Sequence, residues 1–344
     1  MDRTMAEQTR ATGQPTAVTV IGEALIDLVR FGASGDYRAR PGGSPFNVAI
    51  GLARLGHRTS LMARLADNTF GRMLRAHAAA EGVGLTGSPD AAEPSTLAVV
   101  SMDAEGGAEY DFYVQGTADW QWTEAETARI PPDTAVLHFG SIASWTAPGS
   151  DPIHTAAERL RARGTALISY DPNVRPALLG SPAHGRQAVE RAVGVAHIVK
   201  ASREDVEWLY PDTPVERIAT RWLEFGALLV VVTDGGRGAH AFRSGGESIS
   251  RPSRKVSVVD TVGAGDAFTA GLLGALLRHG LHTPRSVTAA APAVVAAALD
   301  DAVLVSALTC ERVGADPPTA RPRPHLPAHT PLAPADLAFP EGAG

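Results

Sequence analysis

The residues best placed to do chemistry lie in the segment VVDTVGAGDAFTAGLLGALL, which begins near Val258. An apolar run with strand character turns there through Gly263, Ala264 and Gly265 straight into a helical pattern, and Asp266 falls in its first turn. Small residues let a ligand approach the backbone. The unpaired N–H groups of a helix start, with the helix dipole behind them, form an anion hole. An acid beside a phosphate site is unfavourable unless it is needed, and accepting the proton of an attacking hydroxyl is such a need. The plainer alternative is that Asp266 caps the helix.

A second helix is signalled in RPGGSPFNVAIGLARLG, with Ser44 as N-cap, Pro45 at the first helical position and Gly56 at its end. Capping accounts for those three residues but not for the pair Gly42 and Gly43, nor for Asn47, whose amide offers both donor and acceptor to a hydroxyl. Asp27, inside LIDLV, alternates onto the face of Leu25 and Val29. A carboxylate there wants hydroxyl partners, such as the vicinal pair of a sugar; an edge position in water is the alternative. In VVVTDGGRGAHAF, Thr233, Gly235 and Gly238 are spaced to bring backbone and hydroxyl groups to a phosphate, or simply to make a hairpin. Lys200 lies at the presumed C-terminal end of the apolar strand of IVKAS, where ligands of open α/β sheets collect, although a lone lysine there is commonly solvated.

These candidates need a scaffold, and the chain supplies one. The β-type runs VTVI, TALISYD, AHIVKA and ALLVVVTD alternate with amphipathic stretches such as SPFNVAIGLARLG and DPIHTAAERLRARG, which predicts a mostly parallel sheet covered by helices. LIDLVRF, STLAVVSMD and AEYDFYV are strand-like runs without helices between them, read as a small antiparallel β lid from about 25–40 and 95–115. Such a lid would exclude water from a phosphoryl transfer. The polar residues 1–16 and the Pro/Ala-rich residues 316–344 are expected to be disordered tails around a domain spanning 17–315.

The glycine pair with Asn47, the DTVGAGDAF segment and the order of the two resemble the paired signatures of the ribokinase-like (PfkB) carbohydrate kinases, from about Val18 to Gly314. Within that family, YDPNVRPALL, LHFGSIA and ALTCERVGA are most similar to bacterial fructokinases and 2-keto-3-deoxygluconate kinases. The resemblance implies a ribokinase-like fold and an ATP-dependent kinase acting on a primary hydroxyl of a ketose, fructose first. It implies Asp266 as catalytic base, with the amides around Gly263, Ala264 and Gly265 stabilising the transferring phosphoryl group. Asp27, Gly42, Gly43 and Asn47 would hold the sugar, and Arg175 would lie near the sugar or the phosphate. Lys200, Thr233, Gly235 and Gly238 would line the nucleotide, with Gly263 and Gly265 shared, and Mg²⁺ would travel with ATP. Where the family commonly carries Asn-x-x-Glu, this chain reads Ser202, Arg203, Glu204, Asp205. That leaves Asp205 or Glu204 as an acid that could act on metal-bound water. Asp260 and Val262 occupy positions that in some members help bind a monovalent cation, which would be K⁺.

Other acceptors and other classes compete. A nucleoside would want an aromatic platform, which Phe31, Tyr110, Phe112 and Tyr113 could supply unless they only pack the lid. A sugar-binding regulator that had lost turnover would have no reason to keep Asp266 within GAGD. A dinucleotide oxidoreductase would carry its glycine motif in an early βαβ unit, and no GxSxG elbow supports a hydrolase. Over 344 residues, 31 basic against 37 acidic side chains give a net charge of −6 without a basic cluster, which argues against a nucleic-acid partner. The single cysteine, Cys310, excludes an internal disulfide. The apolar stretch Val287 to Val305 is interrupted by Pro292, Asp300 and Asp301, so it reads as a buried helix pair rather than a membrane span. The expectation is a cytoplasmic protein that forms a homodimer through the exposed lid sheet.

Overall fold

The computed structural model describes residues 17–31, 35–102, 108–322, 327 and 329–340, so the expected N-terminal tail lies outside the described residues. The chain begins with β1 (Ala17–Ile21), crosses to the lid as β2 (Leu25–Phe31) and β3 (Asp36–Gly42), and returns through the helix Ser44–Arg54 to β4 (Thr59–Met62). A short parallel pair, β5 (Leu65–Ala66) and β6 (Asp90–Ala91), precedes the lid strands β7 (Leu97–Met102) and β8 (Ala108–Tyr113). The large sheet then grows by β9 (Thr134–Gly140), β10 (Leu167–Asp171), β11 (Ile198–Ser202) and β12 (Leu229–Thr233), and is closed by β13 (Ala239–Arg243) and β14 (Ser248–Arg251).

The resulting order is β14-β13-β12-β11-β10-β9-β1-β4. The six strands from β12 to β4 run parallel, and β13 and β14 are antiparallel additions. Helices cover both faces, which is why all five residues of β1 and all five of β10 are buried and apolar residues dominate both, with Thr19, Ser169 and Asp171 as buried polar exceptions. The lid has the order β3-β2-β7-β8. Its outer pairs are antiparallel, but β2 and β7 pair in parallel, with Asp27 opposite Ala98, so the lid is mixed at its centre.

The helix Ala264–Arg278 is buried without a break from Asp266 to Leu277, because it is packed between the helices Ser44–Arg54 and Pro292–Thr309. Apolar all round, it is a core helix whose first turn opens at the C-terminal edge of the parallel strands. Among the described residues, Pro292–Thr309 is the one helix long and apolar enough to cross a membrane. Here it is a core element, and its Asp301 accepts the amide N–H of Leu332 at 2.7 Å.

That last contact belongs to an ordered part, 316–322 and 329–340, of the stretch expected to be a disordered tail; residues 323–326, 328 and 341–344 of that stretch lie outside the described residues. β15 (Thr319–Ala320) pairs with β16 (Leu337–Ala338), while Leu332 and Leu337 are buried in the main core. The buried Arg54 ion-pairs with Glu81 and Asp316 and donates to the carbonyl of Pro317. The described part of this segment is anchored, despite its low apolar content, by two buried leucines, the buried Arg54 and the β15–β16 pairing.

Candidate active site

The helix Ala264–Arg278 starts at Gly263, whose φ of 75° is left-handed and whose added Cβ would sit 2.7 Å from the Cα of Ala315. Asp266, one turn in, is 9% exposed. Its Oδ1 accepts the Ser44 hydroxyl at 2.6 Å and its Oδ2 accepts the Asn47 amide at 2.8 Å. Ser44 is therefore not the cap of its own helix. Gly43 stands at the N-cap with φ 104° and no side-chain cap, which turns the Ser44 hydroxyl towards Asp266. Burial pushes the Asp266 carboxyl above its ordinary range, while the bonds from Ser44 and Asn47 and the charge of Lys200 pull it back.

Asp266 forms one wall of a cavity of about 370 Å³. Asp27 from β2, Gly43, Asn47 and Arg175 complete the part foreseen from the sequence. Tyr110 and Phe112 close it from the lid, stacked with ring centroids 5.8 Å apart, whereas Tyr113 is exposed. Burial raises Asp27 to about 6, with the Asp266 charge adding to the shift and Arg175 opposing it. Gly42, expected to touch a ligand, does not line the cavity: a Cβ there would collide with the Asp27 carboxylate, so this glycine makes room for the acid. Glu23, Ser141 and Asn173 also line the space, and none was anticipated. Glu23 follows β1 and accepts the Ala143 amide at 3.1 Å. Ser141 and Asn173 follow β9 and β10 with φ of 53° and 38°. Non-glycine residues held in that region are a strain that tends to collect at functional sites.

A second cavity, about 700 Å³, is lined by Thr233, Gly235 and Gly238 as expected, and by an apolar floor that includes Phe268, Val303 and Ala307. Arg237, Arg254 and Lys255 add positive charge. The run from about Val258, expected to be a strand leading into Gly263, has no regular structure, and the stretch 252–262 passes along this cavity. Thr261 and Gly265 line both cavities, so the two meet at the start of the Asp266 helix.

Three expected ligand-binding side chains are used otherwise. Lys200 lines neither cavity; it is buried and donates to Asp171 at 2.8 Å, behind Gly265. Asp205 is buried and accepts the amides of Val174 at 2.8 Å and Ser202 at 2.9 Å, so both its oxygens fasten backbone, and Glu204 is exposed. Asp260 accepts the amides of Val262 at 3.0 Å and Gly314 at 2.7 Å and thus ties two loops together, while Val262 itself borders the first cavity. Among the described residues no three His, Cys, Asp or Glu side chains are grouped to hold a metal.

A cavity rich in hydroxyl-binding groups, joined at an anion hole to a larger cavity with an apolar floor, is the layout of a small-molecule phosphotransferase. The model of the pfkB family carbohydrate kinases matches residues 15–321. A fructokinase from Rhizobium leguminosarum bv. trifolii is 36% identical over 269 residues, which is 77% of this chain and 81% of that one. The crystal structure of a fructokinase with bound ATP from Xylella fastidiosa superposes with a TM-score of 0.80 at 25% identity, covering 88% of this chain and 94% of that chain. A fructokinase double mutant from Vibrio cholerae O395, in its fructose, ADP and potassium ion bound form, gives a TM-score of 0.76 at 28% identity, over 88% and 95% of the two chains. The chain belongs to the pfkB family of carbohydrate kinases. It is accordingly a sugar kinase, a phosphotransferase built on the ribokinase-like fold.

Proposed function

We propose that the acceptor is fructose, that its primary hydroxyl is phosphorylated by ATP, and that Asp266 is the base. The observation that carries this reading is the meeting of the two cavities at Thr261 and Gly265, with the Asp266 carboxylate on the smaller one. A sugar held there by Asp27, Asn47 and Arg175 places a hydroxyl between the base and the helix N-terminus. The amides of Gly263, Ala264 and Gly265 would then meet the charge that develops on the phosphoryl oxygens. Thr233, Gly235 and Gly238 would follow the nucleotide's phosphates.

The charge of the smaller cavity favours a neutral sugar. Glu23, Asp27 and Asp266 face a single guanidinium, that of Arg175. A sugar acid such as 2-keto-3-deoxygluconate would bring another negative charge into that balance. The stacked Tyr110 and Phe112 give some support to a nucleoside acceptor, since a base could lie on that platform.

Among the described residues no carboxylate cluster stands ready for Mg²⁺, so the ion would be carried by the ATP phosphates, where it would neutralise their charge. A monovalent cation beside Asp260 and Val262 belongs to the same proposal. With both Asp260 oxygens on amides, its ligands there would be main-chain carbonyls. The test is ATP consumption with Mg²⁺ against fructose, 2-keto-3-deoxygluconate, ribose, tagatose and adenosine. Turnover with fructose foremost is expected; preference for the sugar acid or adenosine would displace fructose.

Two further expectations accompany this reading. Ser44→Ala removes a hydrogen bond that keeps Asp266 ionised, so the base would protonate at higher pH. The acid limb of the kcat/KM profile should move up, with a loss at neutral pH of up to about tenfold; an unmoved limb would detach Ser44 from the base. The chain is also proposed to be cytoplasmic and to dimerise through the lid, whose edge strands expose Tyr37 and Tyr113 at 48% and 61%. Sedimentation at micromolar concentration should return twice the chain mass, and a monomer would refute the dimer.

A further inference from the structure

Lys200 is the buried charge for which the proposed mechanism has no use. Its side chain is 6% exposed, and its ammonium donates to Asp171, itself 2% exposed, at 2.8 Å. Asp171 is held in turn by the Asn173 amide at 3.1 Å and the Thr269 hydroxyl at 3.3 Å, and the same hydroxyl donates to the carbonyl of Gly265 at 3.1 Å. The ammonium therefore sits against the first turn of the Asp266 helix. A Cβ placed on Gly265 would lie 3.2 Å from Lys200 Nζ, so the ammonium lies directly against the glycine that borders both cavities. A lysine at the end of a buried strand is costly to desolvate. A paired neutral side chain would fill the space without that cost.

We propose that Lys200 is a positioning residue for phosphoryl transfer: a fixed cation behind Gly265, oriented by Asp171 and Thr269, that strengthens the anion hole at the helix start beside Asp266. It lines neither cavity. Its charge acts through one glycine thickness of low-dielectric protein, where Coulomb interactions are strong. The charged and titratable groups facing it are Asp171 on β10, Asp205 on the helix Arg203–Leu209, Asp266, and His138 on β9. Asp171 and Asp205 favour the ammonium, and burial keeps His138 neutral, so the lysine remains charged across the working range. Of the two groups of the pair, Lys200 lowers the Asp266 carboxyl and Asp171 raises it, the lysine having the larger influence.

This inference rests on the sugar-kinase reading of the same site, and its test separates the two. Lys200→Met removes the cation but strands Asp171, so the double variant Lys200→Met/Asp171→Asn is made beside it to restore neutrality. The wild-type chain is first assayed over the sugar panel with Mg²⁺ and ATP; failure of the fructose reading appears there, as turnover on another sugar, and the variants are then compared on that sugar. The double variant should melt within a few degrees of wild type and keep both KM values within about threefold. Its kcat should fall about 10- to 100-fold, somewhat less than the loss of a direct oxyanion-hole donor. In Lys200→Met the acid limb of kcat/KM should move to higher pH, because Asp266 loses the cation that favours its charged form, and in the double variant it should move less. If Lys200→Met does not fold, the double variant alone decides. A folded double variant with kcat within twofold of wild type would reduce Lys200 to a structural ion pair and overturn the proposal.

Discussion

Asp266→Asn should lower kcat by about 10²- to 10⁴-fold while leaving the fold and nucleotide binding intact, the range expected when a general base is lost. The substitution keeps the shape of the side chain, and its carbonyl can still accept from Ser44 or Asn47, which hold the two oxygens at 2.6 and 2.8 Å. Only one of the two donors loses its acceptor, a cost of about 1–3 kcal/mol for a buried polar group. Asp266 does not line the larger cavity, so nucleotide binding there, proposed to involve Thr233, Gly235 and Gly238, should survive. Removing a negative charge beside the phosphate site should, if anything, tighten ATP binding. Steady-state turnover, a thermal melt and calorimetric titration with ATP check the three parts separately. A folded, ATP-binding variant that retains kcat within tenfold of wild type would remove Asp266 from the role of base.

The parts of this site legible in the sequence are those that local chemistry dictates. The alternation of apolar runs with amphipathic stretches gave the parallel sheet, because strands buried on both faces are dominated by apolar residues, as β1 and β10 are apart from Thr19, Ser169 and Asp171. The GAGD segment declared a helix start with an acid in its first turn, and the chain folds it that way. What stayed hidden is what only tertiary contact decides. Ser44 has the chemistry of an N-cap, and nothing local says that its hydroxyl crosses 222 positions of sequence to reach Asp266. Gly42 is needed for the bulk of Asp27, a neighbour across the lid rather than along the chain. Glu23 and Asn173 follow strand ends, as many surface residues do, and only the convergence of β1, β9 and β10 brings them to one cavity. Nor did the sequence show that Lys200 would be paired with Asp171, or that both Asp205 oxygens would hold backbone amides, since both depend on partners distant along the chain.

The second large effect is expected at Asp27, and here the signature is affinity rather than turnover. A carboxylate that holds two sugar hydroxyls contributes about 1.5–3 kcal/mol per bond. Part of that is offset because burial and the nearby Asp266 already disfavour its charge. Asp27→Asn should therefore raise the KM for fructose about 10²- to 10³-fold, with kcat at saturating sugar changed by less than about tenfold, since uniform binding is what is lost. The pH dependence gives an independent reading. Asp27 stands at about 6, above its ordinary value, so the free protein gains a proton there as the pH falls through that value. The protonated acid accepts fewer hydroxyl bonds, so KM should climb below about pH 6 and be flat above it. In Asp27→Asn that climb should vanish while KM stays high throughout. Stability moves the opposite way: an acid whose folded value is raised costs stability when ionised, so at neutral pH the variant should melt at or above the wild-type temperature. Lost sugar affinity in a chain that is no less stable points to a binding contact rather than to misfolding, and an unchanged KM would remove Asp27 from the sugar site.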